Sequence, residues 1–240
     1  MFKYVKSLSL ALLLMVAALP AALASETNPN ATEVQVSGSY QEEIAPDIAY
    51  INLGTVTEAE TVAAAQAKNA AVSTSIRQQL ESMGIKDEYI KTAHYAVTPI
   101  YKNDDNGRRT PAIKGYQITN NVLVTTVPDK AGEVVDAALN AGANQVNTIR
   151  FAKKDENGVR NAALAQAVRD AISKADAIAA ALNKQVVRVK VVNENGVNFY
   201  SPEATTRLYG KGIADNLAAT PISAGLVQLS ANVQVTVELE

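Results

Sequence analysis

Apolar residues recur at two different spacings along this chain of 240 residues. In three segments they recur at steps of three and four, which places them on one face of a helix. Elsewhere they alternate with polar residues, which is the pattern of a half-buried β-strand. The predicted helices span about residues 60–83, 128–141 and 159–182, and the predicted strands span 33–44, 48–56, 90–101, 115–127, 146–152, 186–192 and 225–239.

Predicted strands follow one another directly in three places, as often as a single helix separates them. The order is strand, strand, helix, strand, strand, helix, strand, helix, strand, strand. This order predicts an α+β fold in which helices pack on one face of largely antiparallel sheets. The pattern helix, strand, strand occurs at residues 60–127 and again at 158–239, which suggests two related subdomains without any repeat of individual residues.

The first 24 residues have the pattern of a secretory signal peptide. Lys3 and Lys6 precede an apolar run from Leu8 to Leu19, and the small-residue site Ala22-Leu23-Ala24 follows. The alternative, an uncleaved membrane anchor, needs roughly 20 apolar residues, and this run is shorter. We therefore predict cleavage after residue 24, no membrane span after cleavage, a flexible tether over residues 25–32 and an α+β domain over residues 33–240.

The composition excludes several kinds of functional site. The chain has no cysteine, which rules out disulfides, thiol catalysis, iron–sulfur clusters and cysteine zinc sites. Its single histidine cannot supply a metal site that needs two or three imidazole ligands. The formal net charge of -2 provides no broad cationic field for nucleic acid. We therefore predict no cofactor, no metal and no nucleic-acid partner.

His94 is the only imidazole in the chain. In an enzyme it would act as a general base toward a serine or a water molecule, with a carboxylate to orient it. No Gly-x-Ser-x-Gly nucleophile elbow accompanies it. The alternative is a strand histidine at a surface or edge position, which the lack of partner motifs favours.

Two polar segments resemble ligand-binding loops at first sight. Residues 103–107, Asn-Asp-Asp-Asn-Gly, have the residue types of a calcium loop. With Gly107 at the sixth position, however, Lys102 and Ile113 fall at the first and twelfth, where carboxylates are required. We therefore predict a solvated hairpin tip over residues 102–112. Gly210-Lys211-Gly212 lacks the spacing and the following hydroxyl of a phosphate loop, and we interpret it as a loop tip.

A long segment without periodicity, residues 193–224, separates the last two predicted strands. Loops of this length inside compact domains are usually functional or disordered. Aromatic and arginine side chains on such a loop are typical interface anchors. The alternative is that they pack onto their own domain, and the sequence favours neither. The candidate interaction residues are Phe199, Tyr200, Arg207, Leu208 and Tyr209.

Other residues are candidates for structural roles. Gly84 and Gly142 follow the last turns of the first two predicted helices, where a left-handed residue commonly ends a helix. Pro46 and Asp47 form the turn between the first two strands. Asn69 lies on the apolar stripe of its helix, so it is either a buried amide with hydrogen-bond partners or a residue at the solvent border.

The third predicted helix has a largely alanine face. Small side chains allow a helix to approach a sheet or another helix closely. The face is therefore predicted to be a packing surface, and it is also a candidate subunit contact.

A series of short motifs occurs in the order and spacing of one known family. The motifs include Val36-Ser37-Gly38, Pro46-Asp47-Ile48-Ala49, Ala67-Lys68-Asn69, Gly84-Ile85, Pro99-Ile100-Tyr101, Gly115-Tyr116, Ala141-Gly142-Ala143-Asn144, Ile149-Arg150-Phe151, Lys174-Ala175 and Thr220-Pro221-Ile222. On these motifs the chain resembles the SIMPL-domain family. It departs at Tyr40, where members usually have a second glycine, and at Asn183-Lys184, where they usually have a glycine after the long helix.

The resemblance implies an α+β fold, export to the periplasm, and assembly into large ring-like or hollow homo-oligomers. It implies no established catalytic site, and it adds Gly38 to the candidate structural residues. The leading hypothesis is a non-enzymatic periplasmic protein that self-assembles and protects or organises envelope components under stress, with itself and envelope proteins as partners. The alternatives are a binding module that captures a protein or small ligand with the 193–224 loop, and a hydrolase built on His94.

Overall fold

The computed structural model of the protein describes residues 31–201 and 220–240. In chain order the elements are β1 (Thr32–Ile44), β2 (Ile48–Ala59), α1 (Val62–Ser82), β3 (Ile90–Asn103), β4 (Arg109–Thr126), α2 (Ala131–Asn140), β5 (Gln145–Ala152), α3 (Glu156–Ala181), β6 (Val186–Tyr200) and β7 (Val227–Leu239). The three predicted helices are confirmed to within one turn. The predicted signal peptide, the tether up to residue 30 and the segment Gly210-Lys211-Gly212 lie outside the described residues.

The strands form two separate antiparallel sheets. One has four strands in the order β3-β4-β2-β5, and the other has three in the order β1-β7-β6. The α+β fold predicted from the sequence is therefore confirmed. The first two strands do not pair with each other: Pro46 and Asp47 carry the chain from one sheet to the other.

The two sheets share one topology. In the first, α1 is followed by the hairpin β3-β4, and β4 pairs with β2, the strand that precedes the helix. In the second, α3 is followed by β6 and β7, and β7 pairs with β1 from the start of the chain. The segment from β2 to β5 is thus inserted in the chain between β1 and α3, the helix that packs on β1. This arrangement accounts for the helix, strand, strand pattern that occurs twice in the sequence.

Helices α1 and α2 cover one face of the four-stranded sheet. Alternate residues of β2 and β5 point into this core because strand side chains alternate between faces. The largest of its fully buried side chains are Phe151, Ile51, Leu53 and Leu80.

Helix α3 packs on β1 and β7 of the three-stranded sheet. Its contact face is a row of alanines at every fourth position, each at most 1% exposed: Ala163, Ala167, Ala171, Ala175 and Ala179. The predicted packing surface is confirmed. Because the chain's own sheet covers this face, it cannot be a contact between subunits, and that suggestion from the sequence is wrong.

The C-terminal ends of all three helices have the same hydrogen-bond pattern. At the end of α1, Gly84 has φ +83° and the N–H of Ile85 donates to Leu80 O over 3.2 Å, as in a Schellman motif. Gly142 ends α2 in the same conformation. At the end of α3, Asn183 has φ 55° and the N–H of Lys184 donates to Ala179 O over 2.8 Å. Asparagine tolerates this region better than most residues, so the departure at Asn183 leaves the turn intact.

Two strands, β4 and β6, extend at least six residues beyond their predicted bounds. Strand β4 begins at Arg109, so the turn of the hairpin covers only residues 104–108 instead of 102–112. Strand β6 continues to Tyr200, eight residues beyond its predicted end at Val192. Both extensions consist largely of exposed residues. They pair through the backbone, and their sequences do not keep a regular alternation of buried apolar and exposed polar side chains.

Candidate functional site

A cleft lies where the end of β5 and the start of α3 face the end of β6, between the two sheets. Its volume is about 690 Å³, within the range of pockets that hold small molecules. Among the described residues, three cationic side chains line it, Arg150, Lys153 and Arg160, against one carboxylate, Glu156. The described lining of the cleft therefore carries a net positive charge, although the formal net charge of the whole chain is -2.

Arg150 is directed into the cleft by strand alternation. Its neighbours Ile149 and Phe151 are 3% and 1% exposed in the core, so the side chain between them points to the opposite face of β5. Tyr50 is its cross-strand partner on β2, and the guanidinium carbon lies 4.5 Å from the centre of that ring. This distance permits a cation–π interaction that holds the guanidinium in place.

Arg160 connects the first turns of α3 to the end of β6. Its Nη1 donates to Val197 O over 2.7 Å, and its guanidinium carbon lies 5.3 Å from the centre of the Phe199 ring. Phe199 itself packs against the alanine-lined core. The second arginine of the cleft is thus also held on an aromatic ring.

Asp47 ties together the two chain segments that cross between the sheets. Its Oδ1 accepts the N–H of Lys154 over 2.7 Å, and Nζ of Lys153 lies 3.3 Å from its Oδ2. Its own N–H donates to Ala152 O over 3.1 Å. The hydrogen bond from Lys154, with a smaller contribution from Lys153, lowers the pKa of the Asp47 carboxyl despite some desolvation. The predicted structural role of this turn is consistent with these contacts.

We expect Asp47→Asn to lower the free energy of unfolding at neutral pH by at most about 1 kcal/mol, because half of the side chain is exposed. The folded-state pKa lies below the ordinary value of 3.8. The carboxylate therefore stabilises the fold above that value, and this contribution is lost as the pH falls through the folded-state pKa.

The measurement is the difference in Tm between wild type and Asp47→Asn from about pH 6 to about pH 3. We expect this difference to shrink as the pH falls. Asp105→Asn, in the exposed hairpin turn, is the matched control and should show no such trend. A Tm difference that stays constant with pH would contradict the role of the ionised carboxylate.

Two of the five predicted interaction residues lie within the described part of the chain, and the other three lie outside it. Phe199 and Tyr200 lie on strand β6, paired with Leu229 and Gln228, so the prediction that they belong to an irregular loop was wrong. Phe199 packs onto its own domain, whereas Tyr200 is 68% exposed beside the cleft. Arg207, Leu208 and Tyr209 lie outside the described residues.

The sequence did not indicate the three cations of the cleft. A weak signal was available at Arg150, a charged residue between two apolar ones on a predicted strand. Arg160 is one of several polar residues near the start of α3 and has no distinguishing spacing. These residues meet Phe199 and Tyr200 only because the two sheets lie side by side.

The other candidates for chemistry lie apart from the cleft. His94 is exposed on β3, an edge strand, next to a register shift, which confirms the edge interpretation. At the hairpin turn, Oδ1 of Asp104 accepts the N–H groups of Asn106 and Arg108 over 3.0 and 2.8 Å. Within residues 31–201 and 220–240, no group of three or more potential ligand side chains is placed to hold a metal ion. No helix in the same ranges is both long enough and apolar enough to cross a membrane.

The sequence left open whether Asn69 is a buried amide or lies at the solvent border, and the structure shows that it is buried. It is 1% exposed, and its Nδ2 donates to Thr55 O on β2 over 3.2 Å. Ser73 Oγ donates to Asn69 Oδ1 over 3.3 Å, and Asn120 Nδ2 donates to Ser73 Oγ over 2.9 Å. The residue thus connects α1 to the sheet through β2 and β4.

Comparison with known proteins gives one family match, over residues 34–237, to SIMPL, a "Protein of unknown function (DUF541)". The chain is 27% identical over 164 residues to the 26 kDa periplasmic immunogenic protein of Brucella melitensis, covering 67% of this chain and 66% of that relative. It is 26% identical over 210 residues to the uncharacterized protein YggE of Edwardsiella ictaluri, with 87% of each chain covered. YggE of Escherichia coli K12 is 25% identical over 221 residues, covering 91% of this chain and 88% of the relative.

Proposed function

The chain belongs to the SIMPL family, and from that premise we propose that it is an exported periplasmic protein that assembles with copies of itself. In this proposal it acts without catalysis, to protect or organise envelope components under stress. The stress role is supported by the family resemblance alone. Since the chain has no cysteine and three methionines, protection would act through binding or assembly and not through redox chemistry at cysteine.

Two observations support export to the periplasm. Residues 1–24 have the charged start, apolar run and small-residue site of a cleaved signal peptide. The relative from Brucella melitensis is named a periplasmic protein.

The outer edge of strand β6 carries the proposal of self-assembly. This strand has 15 residues and forms one edge of the three-stranded sheet. Four of its valines, Val187, Val189, Val191 and Val192, are 45–50% exposed. Between Val186 and Asn195, no other described residue hydrogen-bonds its outer edge. A long apolar edge of this kind is a template for pairing with a strand of another chain.

Charged residues on β6 do not block this edge. Lysines and other charges on an edge strand normally oppose pairing between sheets. Here Arg188 is paired with Glu238 and Lys190 with Glu33, so both cations are engaged with carboxylates of their own sheet. The valines remain as the main feature of the edge.

Two of the other three strand edges are protected, and the third, β5, has only 8 residues. Along β1, Asp170 Oδ2 accepts the N–H of Ser39 over 2.8 Å and Lys174 Nζ donates to Ser37 O over 3.0 Å, so α3 occupies the edge. Strand β3 contains Pro99, which cannot donate a backbone hydrogen bond. We therefore place the main contact between copies at β6.

The double substitution Val187→Lys and Val191→Lys is expected to reduce a large assembly to single chains, because like charges on facing edges repel each other. The measurement is absolute mass by light scattering behind a sizing column, at two protein concentrations. The sample is protein purified from the periplasm, and its intact mass is expected to correspond to a chain that begins at Ser25.

Val127→Lys is the matched control, because Val127 is 50% exposed but lies in the connection between β4 and α2. It should leave the mass of the assembly unchanged. A wild-type protein that is a single chain at both concentrations would overturn the assembly proposal. A double variant that assembles like wild type would overturn the assignment of the contact to β6.

A further inference from the structure

We propose that the cleft between the two sheets is a binding site for a small anion that carries a phosphate or carboxylate group. This inference is independent of self-assembly, since the cleft is formed within one chain. It rests on the charge of the cleft, on how its arginines are held, and on its size.

The two arginines of the cleft have unused hydrogen-bonding capacity. In the described part of the chain, neither Arg150 nor Arg160 has a carboxylate oxygen within 4.0 Å. Arg160 donates one hydrogen bond, to Val197 O, of the five that a guanidinium can make. A guanidinium presents these donors as a planar fork, which matches a carboxylate or a phosphate.

Both guanidinium groups are held in position before any ligand arrives. Arg150 lies over Tyr50 and Arg160 over Phe199, at 4.5 and 5.3 Å from the ring centres. A side chain that is already ordered loses less conformational entropy when it binds a ligand. The arrangement therefore favours anion binding more than two free surface arginines would.

Lys153 adds a third positive charge to the same cleft, and its ammonium group is shared with Asp47. Glu156 is the single carboxylate among the described residues that line the cleft. The volume of about 690 Å³ exceeds that needed for one inorganic ion. The exposed ring of Tyr200 offers a surface for the remainder of an organic anion.

Two other concave surfaces lack this chemistry in the part of the chain that the structure describes. The groove between α1 and β3 contains one cation, Arg77, which is paired with Asp87. The pocket beside Gln228 is lined by Glu42 and Glu43 and has no cation among its described residues. Of these three sites, only the cleft between the sheets has an excess of positive charge.

The test is isothermal titration of the purified full chain with sodium phosphate and with sodium citrate at low ionic strength, where attraction between charges is least screened. We expect one site per chain with a Kd of about 1 mM or lower for at least one probe, as charge-assisted contacts from two arginines would give. Arg150→Gln and Arg160→Gln should each weaken binding about tenfold or more.

Arg169→Gln is the matched control, because Arg169 is exposed on the same helix as Arg160 and does not line the cleft. It should bind like wild type. Arg150→Lys keeps the charge but loses the fork, and we expect it to bind better than Arg150→Gln and less well than wild type. Thermal unfolding of every variant without ligand shows whether the fold is retained, and the ligand should raise the Tm of wild type more than that of Arg150→Gln.

Vesicles that contain phosphatidylglycerol distinguish a free anion from a lipid headgroup. Binding of phosphate or citrate in solution, lost in the folded arginine variants, would support the proposal. Binding to vesicles without saturable binding of either soluble probe up to about 10 mM would overturn it. Equal affinity of wild type, Arg150→Gln and Arg160→Gln would also overturn it.

Discussion

Replacing Gly38 with alanine is expected to destabilise the protein by about 3 kcal/mol or more, the largest effect that we predict for a single methyl group. Gly38 lies on β1 directly under α3. A Cβ at this position would be 2.0 Å from the backbone oxygen of Ala167 and 2.7 Å from Cβ of Ala171. Ordinary contacts begin at about 3.4 Å, so the helix would have to move away from the sheet.

Movement of α3 would affect the whole second core. The buried alanine side chains of α3 are short, so they contact β1 and β7 only when the helix lies close to the sheet. The atom that meets the new Cβ is a backbone oxygen of the helix, which cannot rotate out of the way as the end of a flexible side chain could. Removing the methyl group of Ala171 would not rescue the variant, because the oxygen of Ala167 would still clash with the new Cβ.

Urea denaturation measures this effect as a fall in the midpoint concentration at constant slope. Ser37→Ala is the control, because Ser37 lies on the same strand with its side chain exposed; it should change the free energy of unfolding by no more than about 0.5 kcal/mol. A Gly38→Ala protein as stable as wild type would show that α3 does not pack this closely on β1.

The second large effect is expected for Asn69→Ala, which should lower the free energy of unfolding by about 2 to 3 kcal/mol. The substitution removes the donor to Thr55 O and the acceptor for Ser73 Oγ. The first loss occurs in a region from which water is excluded, since Asn69 is 1% and Thr55 3% exposed, whereas Ser73 is half-buried. Polar groups that lose their partners in such a region retain the cost of desolvation.

Thermal or urea unfolding of Asn69→Ala gives this value directly. Gln66→Ala, one turn earlier on the exposed side of α1, is the matched control and should lie within about 0.5 kcal/mol of wild type. An unchanged Tm in Asn69→Ala would refute the buried amide network as a source of stability.

Much of the fold could be predicted because its signals are local. Helix α1 could be predicted from the spacing of its buried face, which includes Ile76, Leu80 and the one polar residue Asn69, since a helix buries residues three and four apart. The sequence Gly84-Ile85 marks the end of that helix through a turn that involves only neighbouring residues. The family resemblance added Gly38, whose importance cannot be derived from local spacing because the atoms it meets are about 130 residues away.

Predictions failed where partners are distant along the chain. The segment after Val192 lacks regular apolar alternation, which predicts a loop, yet the backbone of β6 pairs with β7 as far as Tyr200. The cleft is a further case: Arg150, Arg160 and Phe199 come from three elements and meet only in the folded chain.

The sequence by itself determined which segments are helices and strands, where the helices end and which residue types are available for chemistry. Each of these depends on interactions within one or two turns or on composition alone. Only the tertiary structure decided that β1 leaves its neighbour β2 and pairs with β7, so that residues 32–44 lie against residues 227–239. The choice depends on which apolar faces fit together across the whole chain, because the hydrogen bonds of a strand are the same with any partner. The same choice places α3 over Gly38 and brings the cationic end of β5 beside the end of β6, where the cleft is formed.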